Sequence, residues 1–399
     1  MRDVIIAGVG MHKLGKYLEL RHGDLAQVAV WNAIRDAGVG LKDIQFAAVG
    51  TMMGGTSVFG QKILRNSGIS EIPIINVEGA CATGALALHE AWLAVGSGQY
   101  DVALALGVEK MFSGEKGAGL DLGEGDSEGV EITGNNPMHE AVHCASLVKG
   151  VMDKYGWTQE HFAKLEAKNK FNGSLNPNAQ HQKAYTPEEI AGSRLLSWPI
   201  TLYMCAPIGD GAAAAIICSK EAAKKLGVKK PHIHIASMAM RSPRVVDPRE
   251  DEPRPEEIIR GDNVWYTMHE AYEKAGIGPE DVELVELHSP VTPLEMIRWH
   301  YLGICPAEDA AKWVEEGNAA LNGKVPVNTS GGSTTRGHAI GATGVAQTAE
   351  IVWQLRGEAG KRQIEGRSGK GPKVGVVQNS GGFVDTTGQA CSIGIVMKR

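Results

Sequence analysis

Two stretches of this chain share one alternation of apolar and polar positions. Residues 23–52 (GDLAQVAVWNAIRDAGVGLKDIQFAAVGTM) and 261–290 (GDNVWYTMHEAYEKAGIGPEDVELVELHSP) both open with apolar residues recurring every three or four positions. That period belongs to a helix with one buried face. In each copy a glycine (Gly38, Gly276) ends the helical pattern, a short turn carries an aspartate (Asp43, Asp281), and an apolar run predicts a strand. Gly23/Gly261, Asp24/Asp262, Ala33/Ala271, Ala37/Ala275 and Gly40/Gly278 also coincide.

A second pair follows the first. ATGALALHEAW, from Ala82, matches ATGVAQTAEIVW, from Ala342. Each is expected to open a helix directly after a strand (IPIINVEG and KVPVNTSG), and each leads into a further β-rich run, at 101–111 and 373–382. Two similar halves of alternating strands and helices predict two stacked α/β domains related by a pseudo-twofold axis. Residues 1–111 with 201–230 form the first half and 231–399 the second. Residues 112–200 have no counterpart. This insertion holds a glycine-rich acidic stretch (119–129) and helical patterns at 139–156 and 160–174, so it is expected to be a loop domain packed over the first half.

Composition narrows the function classes. A chain of 399 residues with 43% hydrophobic positions can bury more than one core. A net charge of −6 argues against nucleic acid or an anionic membrane as the main partner. The six cysteines contain no C-x-x-C pair, which argues against a disulfide framework or a structural zinc in this chain and favours a reducing, cytoplasmic setting. No metal is expected. Residues 1–10 read as a first strand and not a signal peptide, and no apolar run is long enough to span a bilayer.

Candidate chemistry collects at the strand-to-helix junctions. Cys81 lies among small residues (GACATGA) where a strand meets a helix, and unpaired N–H groups at a helix start favour a thiolate. The repeat carries Gly341 in its place. Taken alone, Cys81 is equally well read as a small buried cysteine at a tight junction. His338 sits at the equivalent junction of the second half, and His288 directly follows an apolar strand. Either alone is by default a structural histidine. Together with Cys81, however, they make a set able to activate a thiol and stabilise a thioester oxyanion. QNSGG (378–382) can offer backbone N–H groups to an oxyanion or simply turn a corner.

These segments resemble the thiolase superfamily, and within it the sterol-carrier-protein-type branch. GACATGALALHEAWLAVGSGQYDVALALGVEKM is similar to the family's nucleophile segment, CAPIGDGAAAAIICS to its return strand, and GHAIGATG to its G-H-P-x-G-A-T-G motif. HSPV stands where the branch carries H-D-C-F. The resemblance implies a five-layer α-β-α-β-α fold with an inserted loop domain, a homodimer or higher oligomer, and coenzyme A thioesters as substrates. It implies that Cys81 accepts the acyl group and that His338 activates the thiol. His288 would share the first oxyanion hole, and the N–H groups of Cys81 and Gly381 would form the second. The implied activity is cleavage of a 3-oxoacyl-CoA by coenzyme A. The branch includes an activity in aromatic degradation that splits 2-benzoylsuccinyl-CoA into benzoyl-CoA and succinyl-CoA. Its bacterial members also pair with a small zinc-ribbon/OB-fold subunit in a hetero-oligomer.

Two departures cut against a complete site. Thiolases use a second cysteine as acid/base, and the two places it occupies hold Asn379 and Pro290 here. Cys391, the nearest sulfur by sequence, lies too far downstream to be an obvious substitute. A condensing enzyme of the ketoacyl-synthase type shares the Cys–His–His set, and a non-catalytic coenzyme A-binding scaffold accommodates the missing acid/base.

Overall fold

The computed structural model describes residues 1–54, 57–112, 137–244, 257–259, 262–384 and 388–398. The acidic stretch 119–129 and most of the charged segment 241–260 lie outside the described residues. The first half runs β1 (Val4–Met11), α1 (His22–Ala37), β2 (Phe46–Gly50), α2 (Phe59–Asn66), β3 (Ile74–Val77), α3 (Thr83–Gly96) and β4 (Val102–Glu109). The insertion contributes α4 (Pro137–Tyr155), α5 (Gln159–Ser174), α6 (Pro187–Ala191) and a hairpin of β5 (Leu195–Ser197) with β6 (Ile200–Thr201). The chain then re-enters the first half as β7 (Gly211–Ser219) and α7 (Lys220–Leu226). The second half is β8 (Ile233–Arg241), α8 (Val264–Ala275), β9 (Leu284–Leu287), α9 (Pro293–Tyr301), α10 (Ala310–Glu315), α11 (Gly332–Thr335), α12 (Thr343–Arg356), β10 (Val374–Val384) and β11 (Gly388–Lys398).

The repeated glycines and aspartates have a shared physical role. Gly38 and Gly276 close α1 and α8 in the left-handed conformation, at φ of 70° and 64°. Only glycine adopts that geometry without a steric cost. In the turns that follow, Asp43 Oδ2 accepts the Gly40 N–H at 2.7 Å and Asp281 Oδ2 accepts the Gly278 N–H at 3.0 Å. Each aspartate thereby satisfies a donor that the turn leaves open.

Nine strands pair in the order β3-β2-β4-β7-β1-β8-β11-β10-β9. The halves join where β1 meets β8 over only two residue pairs, Ile5↔His234 and Ile6↔Ile233. One core gathers Leu88, Ala91 and Val95 of α3 with Val345, Ala349 and Val352 of α12. The same core holds Ala103 and Ala215 of the first half and Val377 and Ile393 of the second. The two helices are therefore sandwiched between the halves' sheets. A second core lies under α1, α2 and α7, and a third under α8 and α9. These layers make the expected α-β-α-β-α stack. The central helices cross at their first turns. A β-carbon on Gly84 would lie 2.7 Å from Gly341 O, and one on Gly344 would lie 2.2 Å from Ala85 N. Only glycine permits that approach, which is why the two ATG segments match.

Two expectations are corrected. KVPVNTSG forms no strand: Val327 makes a single parallel bridge with Val285. Pro326 has no N–H for a ladder and uses only its carbonyl, which accepts from Val285 N at 3.0 Å. The described part of the insertion packs mainly over the second half and meets the first only at its margin, where the Leu14 N–H donates to Asn178 O at 3.1 Å and the Gln180 amide to Ile208 O at 2.9 Å. Asn172 and Asn176 donate to the carbonyls of Asn328 and Ser330 at 3.1 and 2.9 Å. Glu166 accepts from Thr292 and Thr334 at 2.7 and 2.9 Å. The polar face of α5 is thus buried because the loops before α12 supply partners for it. Among the described residues, no helix is long and apolar enough to cross a membrane.

Candidate active site

Cys81 occupies the middle of a tight turn, Ala80–Ala82, between β3 and α3. The turn is forced: Ala80 sits at φ 49°, a left-handed position that costs a non-glycine residue about 1–3 kcal/mol. Its neighbours hold it there. Glu78 accepts the Ala80 N–H at 2.6 Å, and Thr83 Oγ1 accepts the Gly79 N–H at 2.9 Å. The strand–helix connection thereby presents a half-buried Cys81 at the start of α3.

His338 arrives from the matching turn of the second half. Its Nε2 lies 3.3 Å from Cys81 Sγ, and its Nδ1 lies 2.8 Å from Thr343 Oγ1. The Thr343 hydroxyl donates to Ala339 O at 3.1 Å, which leaves its oxygen to accept from Nδ1–H. Nε2 of the neutral ring is then bare and faces the thiol. Burial, reinforced by the Arg336 guanidinium, pushes the His338 pKa down to about 3. The resting imidazole is therefore neutral.

His288 completes the cluster. It follows β9 directly, and its N–H donates to Gln378 O of β10 at 3.0 Å. Its ring centroid lies 5.0 Å from that of His338, and the Cys81 sulfur and one ring nitrogen from each of His288 and His338 fall within 4.8 Å of one another. Burial, then His338, Arg298 and Arg336, holds its pKa well below 6.5. Neither ring nitrogen has a hydrogen-bond partner among the described residues. A fully buried imidazole with no protein partner is set to meet a ligand.

The chain matches the family model for the N-terminal domain of thiolases over residues 4–194 and the thiolase C-terminal domain-like model over 262–391. It is 36% identical to the benzoylsuccinyl-CoA thiolase subunit BbsB of Thauera aromatica, over 96% of this chain and 95% of that one. It is 34% identical to an acetyl-CoA acetyltransferase of Methanothermobacter thermautotrophicus, over 96% and 97%. The chain belongs to the thiolase family. Its fold superposes on an Ltp2–ChsH2(DUF35) aldolase with a TM-score of 0.80, 24% identity and coverage of 99% and 97%. It superposes on human mitochondrial 3-ketoacyl-CoA thiolase with a TM-score of 0.71, 17% identity and coverage of 100% and 98%.

Within this thiolase-family site all four residues singled out from sequence converge. Gly381 of β10 lies directly under the turn that carries Cys81: a β-carbon there would come within 2.4 Å of Cys81 N and 2.5 Å of Ala82 N and Gly79 O. The two positions that lack the family's second cysteine are otherwise engaged. The Asn379 amide donates to Gln347 Oε1 at 2.6 Å, and the Pro290 carbonyl accepts the Ala206 N–H at 2.7 Å.

Two neighbours were not legible as part of the site. Glu109, in the G-V-E-K-M segment, is fully buried and accepts from Thr51 Oγ1 and from the N–H groups of Met52, Met53 and Gly341, all at 2.9–3.0 Å. It ties the turn after His338 to the first half. Burial raises its pKa, against those bonds. The second is Cys391, whose sequence distance misleads. β10 and β11 pair with Gly381 opposite Cys391, and a β-carbon on Gly79 would lie 3.8 Å from Cys391 Sγ.

Proposed function

We propose that this thiolase-family acyltransferase cleaves a 3-oxoacyl-CoA with coenzyme A through an acyl thioester on Cys81. The observation that carries the proposal is the ordered chain Cys81 Sγ–His338 Nε2 and His338 Nδ1–Thr343 Oγ1. As Sγ attacks the ketone carbon, its proton passes to Nε2, and the resulting imidazolium N–H faces the new oxyanion. His288 supplies a second donor to the same oxygen. The C2–C3 bond then breaks, an acyl-CoA departs, and the acyl group stays on sulfur. Coenzyme A attacks that thioester, with the N–H groups of Cys81 and Gly381 as donors to the second oxyanion, and Cys81 leaves with the proton that His338 held.

Similarity to BbsB supports a 2-benzoylsuccinyl-CoA-type substrate, giving benzoyl-CoA and succinyl-CoA. BbsB is itself named as a subunit, and the Ltp2 structure contains a DUF35 protein. Both favour a small second subunit here, alongside the homodimer that the family implies. A scaffold that binds coenzyme A without catalysis is favoured by one observation, the occupation of both second-cysteine positions by Asn379 and Pro290.

Intact-protein mass spectrometry after mixing with aliphatic, aryl and succinyl-type CoA thioesters decides between the two. A mass gain equal to the acyl group, absent in Cys81→Ala, is the expected result. No adduct with any thioester, with the small subunit present, would establish the scaffold.

A further inference from the structure

Thiolytic cleavage needs a group that gives a proton to C2 and later takes one from coenzyme A, and this inference rests on the acyl-transfer reading above. His288 suits the task poorly. A ring buried this deeply and flanked by His338, Arg298 and Arg336 resists taking a proton, so it serves as a donor to an oxyanion. His338 is committed to Cys81, and Asn379 to Gln347.

Three facts place Cys391 beside the turn that carries Cys81. First, in an antiparallel pair opposed residues share a face of the sheet, so Cys391 points the way that a Gly381 side chain would. That direction is the nucleophile turn, since a Gly381 β-carbon would strike Cys81 N. Second, Cys391 Sγ lies 3.8 Å from the β-carbon position of Gly79, two residues before Cys81, which is ordinary van der Waals contact with the turn. Third, Cys391 is half-buried, unlike the sealed Cys144, Cys218 and Cys305. His288, with both ring nitrogens unpartnered and one of them within 4.8 Å of Cys81 Sγ, independently marks the space at the Cys81 sulfur as one that receives a ligand.

We propose that Cys391 is the acid/base of this site. When the C2–C3 bond breaks, the electron pair left on C2 takes the proton of the Cys391 thiol, and the acyl-CoA product leaves. The Cys391 thiolate then takes the proton of the incoming coenzyme A thiol, whose sulfur attacks the Cys81 thioester. Cys391 ends the cycle protonated, and one 3-oxoacyl-CoA plus one coenzyme A has become two acyl-CoAs. Burial, then Glu78, pushes its pKa up to about 11. That value suits a group resting as a thiol and acting as a strong base once ionised.

The test separates acylation of Cys81 from proton transfer at C2. An acyl-CoA that acylates the unaltered enzyme is incubated in D2O, and deuterium entering C2 is followed by mass spectrometry for the unaltered, Cys391→Ala, Cys391→Ser and Cys205→Ala enzymes. Cys205 is the control because it bridges Val291, beside the other empty cysteine position. The expected result is that Cys391→Ala still acylates Cys81 while C2 exchange falls at least ~100-fold, within the range of general acid–base catalysis. Cys391→Ser should recover part of the exchange, with its pH profile displaced upward. Undiminished exchange in a folded, acylating Cys391→Ala enzyme would overturn the assignment and leave acyl transfer standing, as would loss of exchange in Cys205→Ala alone. Failure of the unaltered enzyme to acylate would instead overturn the acyl-transfer reading and this assignment with it.

Discussion

A β-carbon on Gly381 would lie 2.4 Å from the backbone nitrogen of Cys81. The contact joins the last strand pair of the second half to the Cys81 turn of the first. All three atoms that crowd the position belong to backbone, so no side chain can swing aside to relieve it.

Gly381→Ala is expected to lose about 1–3 kcal/mol of stability, the usual cost of overpacking a close-fitting site. Acylation of Cys81 should fall by more than tenfold, because the turn is what moves. Urea denaturation together with the acyl-adduct rate checks both. An alanine variant of unchanged stability would mean that the turn tolerates displacement.

Thr343 holds one tautomer of His338. Thr343→Val removes the acceptor of a buried Nδ1–H, a loss of about 1–3 kcal/mol for an unsatisfied group. The ring is then free to turn Nε2 away from Cys81 Sγ. The expected signature is a kcat lowered about 10- to 100-fold with KM little changed, and slower alkylation of Cys81 by iodoacetamide. Thr343→Ser, which keeps the hydroxyl, should restore most of both.

The two histidines make the fold sensitive to acid. Both are held neutral in the folded state below their ordinary pKa, His338 down to about 3. Between an unfolded-state pKa near 6.5 and those depressed values, the unfolded chain binds more protons, so stability falls as pH falls. Each histidine contributes a slope of up to about 1.4 kcal/mol per pH unit in that window. Denaturation midpoints from pH 7 to pH 4 should therefore decline more steeply in the unaltered protein than in His288→Asn or His338→Asn.

A soft divalent ion should inhibit. The Cys81 sulfur and one ring nitrogen from each of His288 and His338 lie within 4.8 Å of one another, and zinc takes such ligands at about 2.0–2.3 Å with modest closure. Micromolar Zn2+ is expected to slow alkylation of Cys81, with reversal by EDTA and no effect on alkylation in His338→Ala.

Much of this was legible in the sequence because it is local. Helix period, glycine stops, the Asp43 and Asp281 caps and the matched ATG helix starts all depend on residues a few positions apart. These were enough to predict two halves, with a cysteine at one junction and a histidine at the other. The likeness of whole segments to one family supplied the layered architecture, and with it the expectation that Cys81, His288 and His338 meet.

What tertiary structure alone decided is which distant backbones touch. The pairing of Gly381 with Cys391 is a matter of register between β10 and β11, and no spacing along the chain sets it. The buried Glu109 finds Gly341 only when the halves stack. The insertion chose the second half because the carbonyls and hydroxyls of residues 328–335 satisfy the polar face of α5, a complementarity invisible until both are folded. Periodicity records which face of an element is buried. It does not record what that face is buried against, and the site depends on the latter.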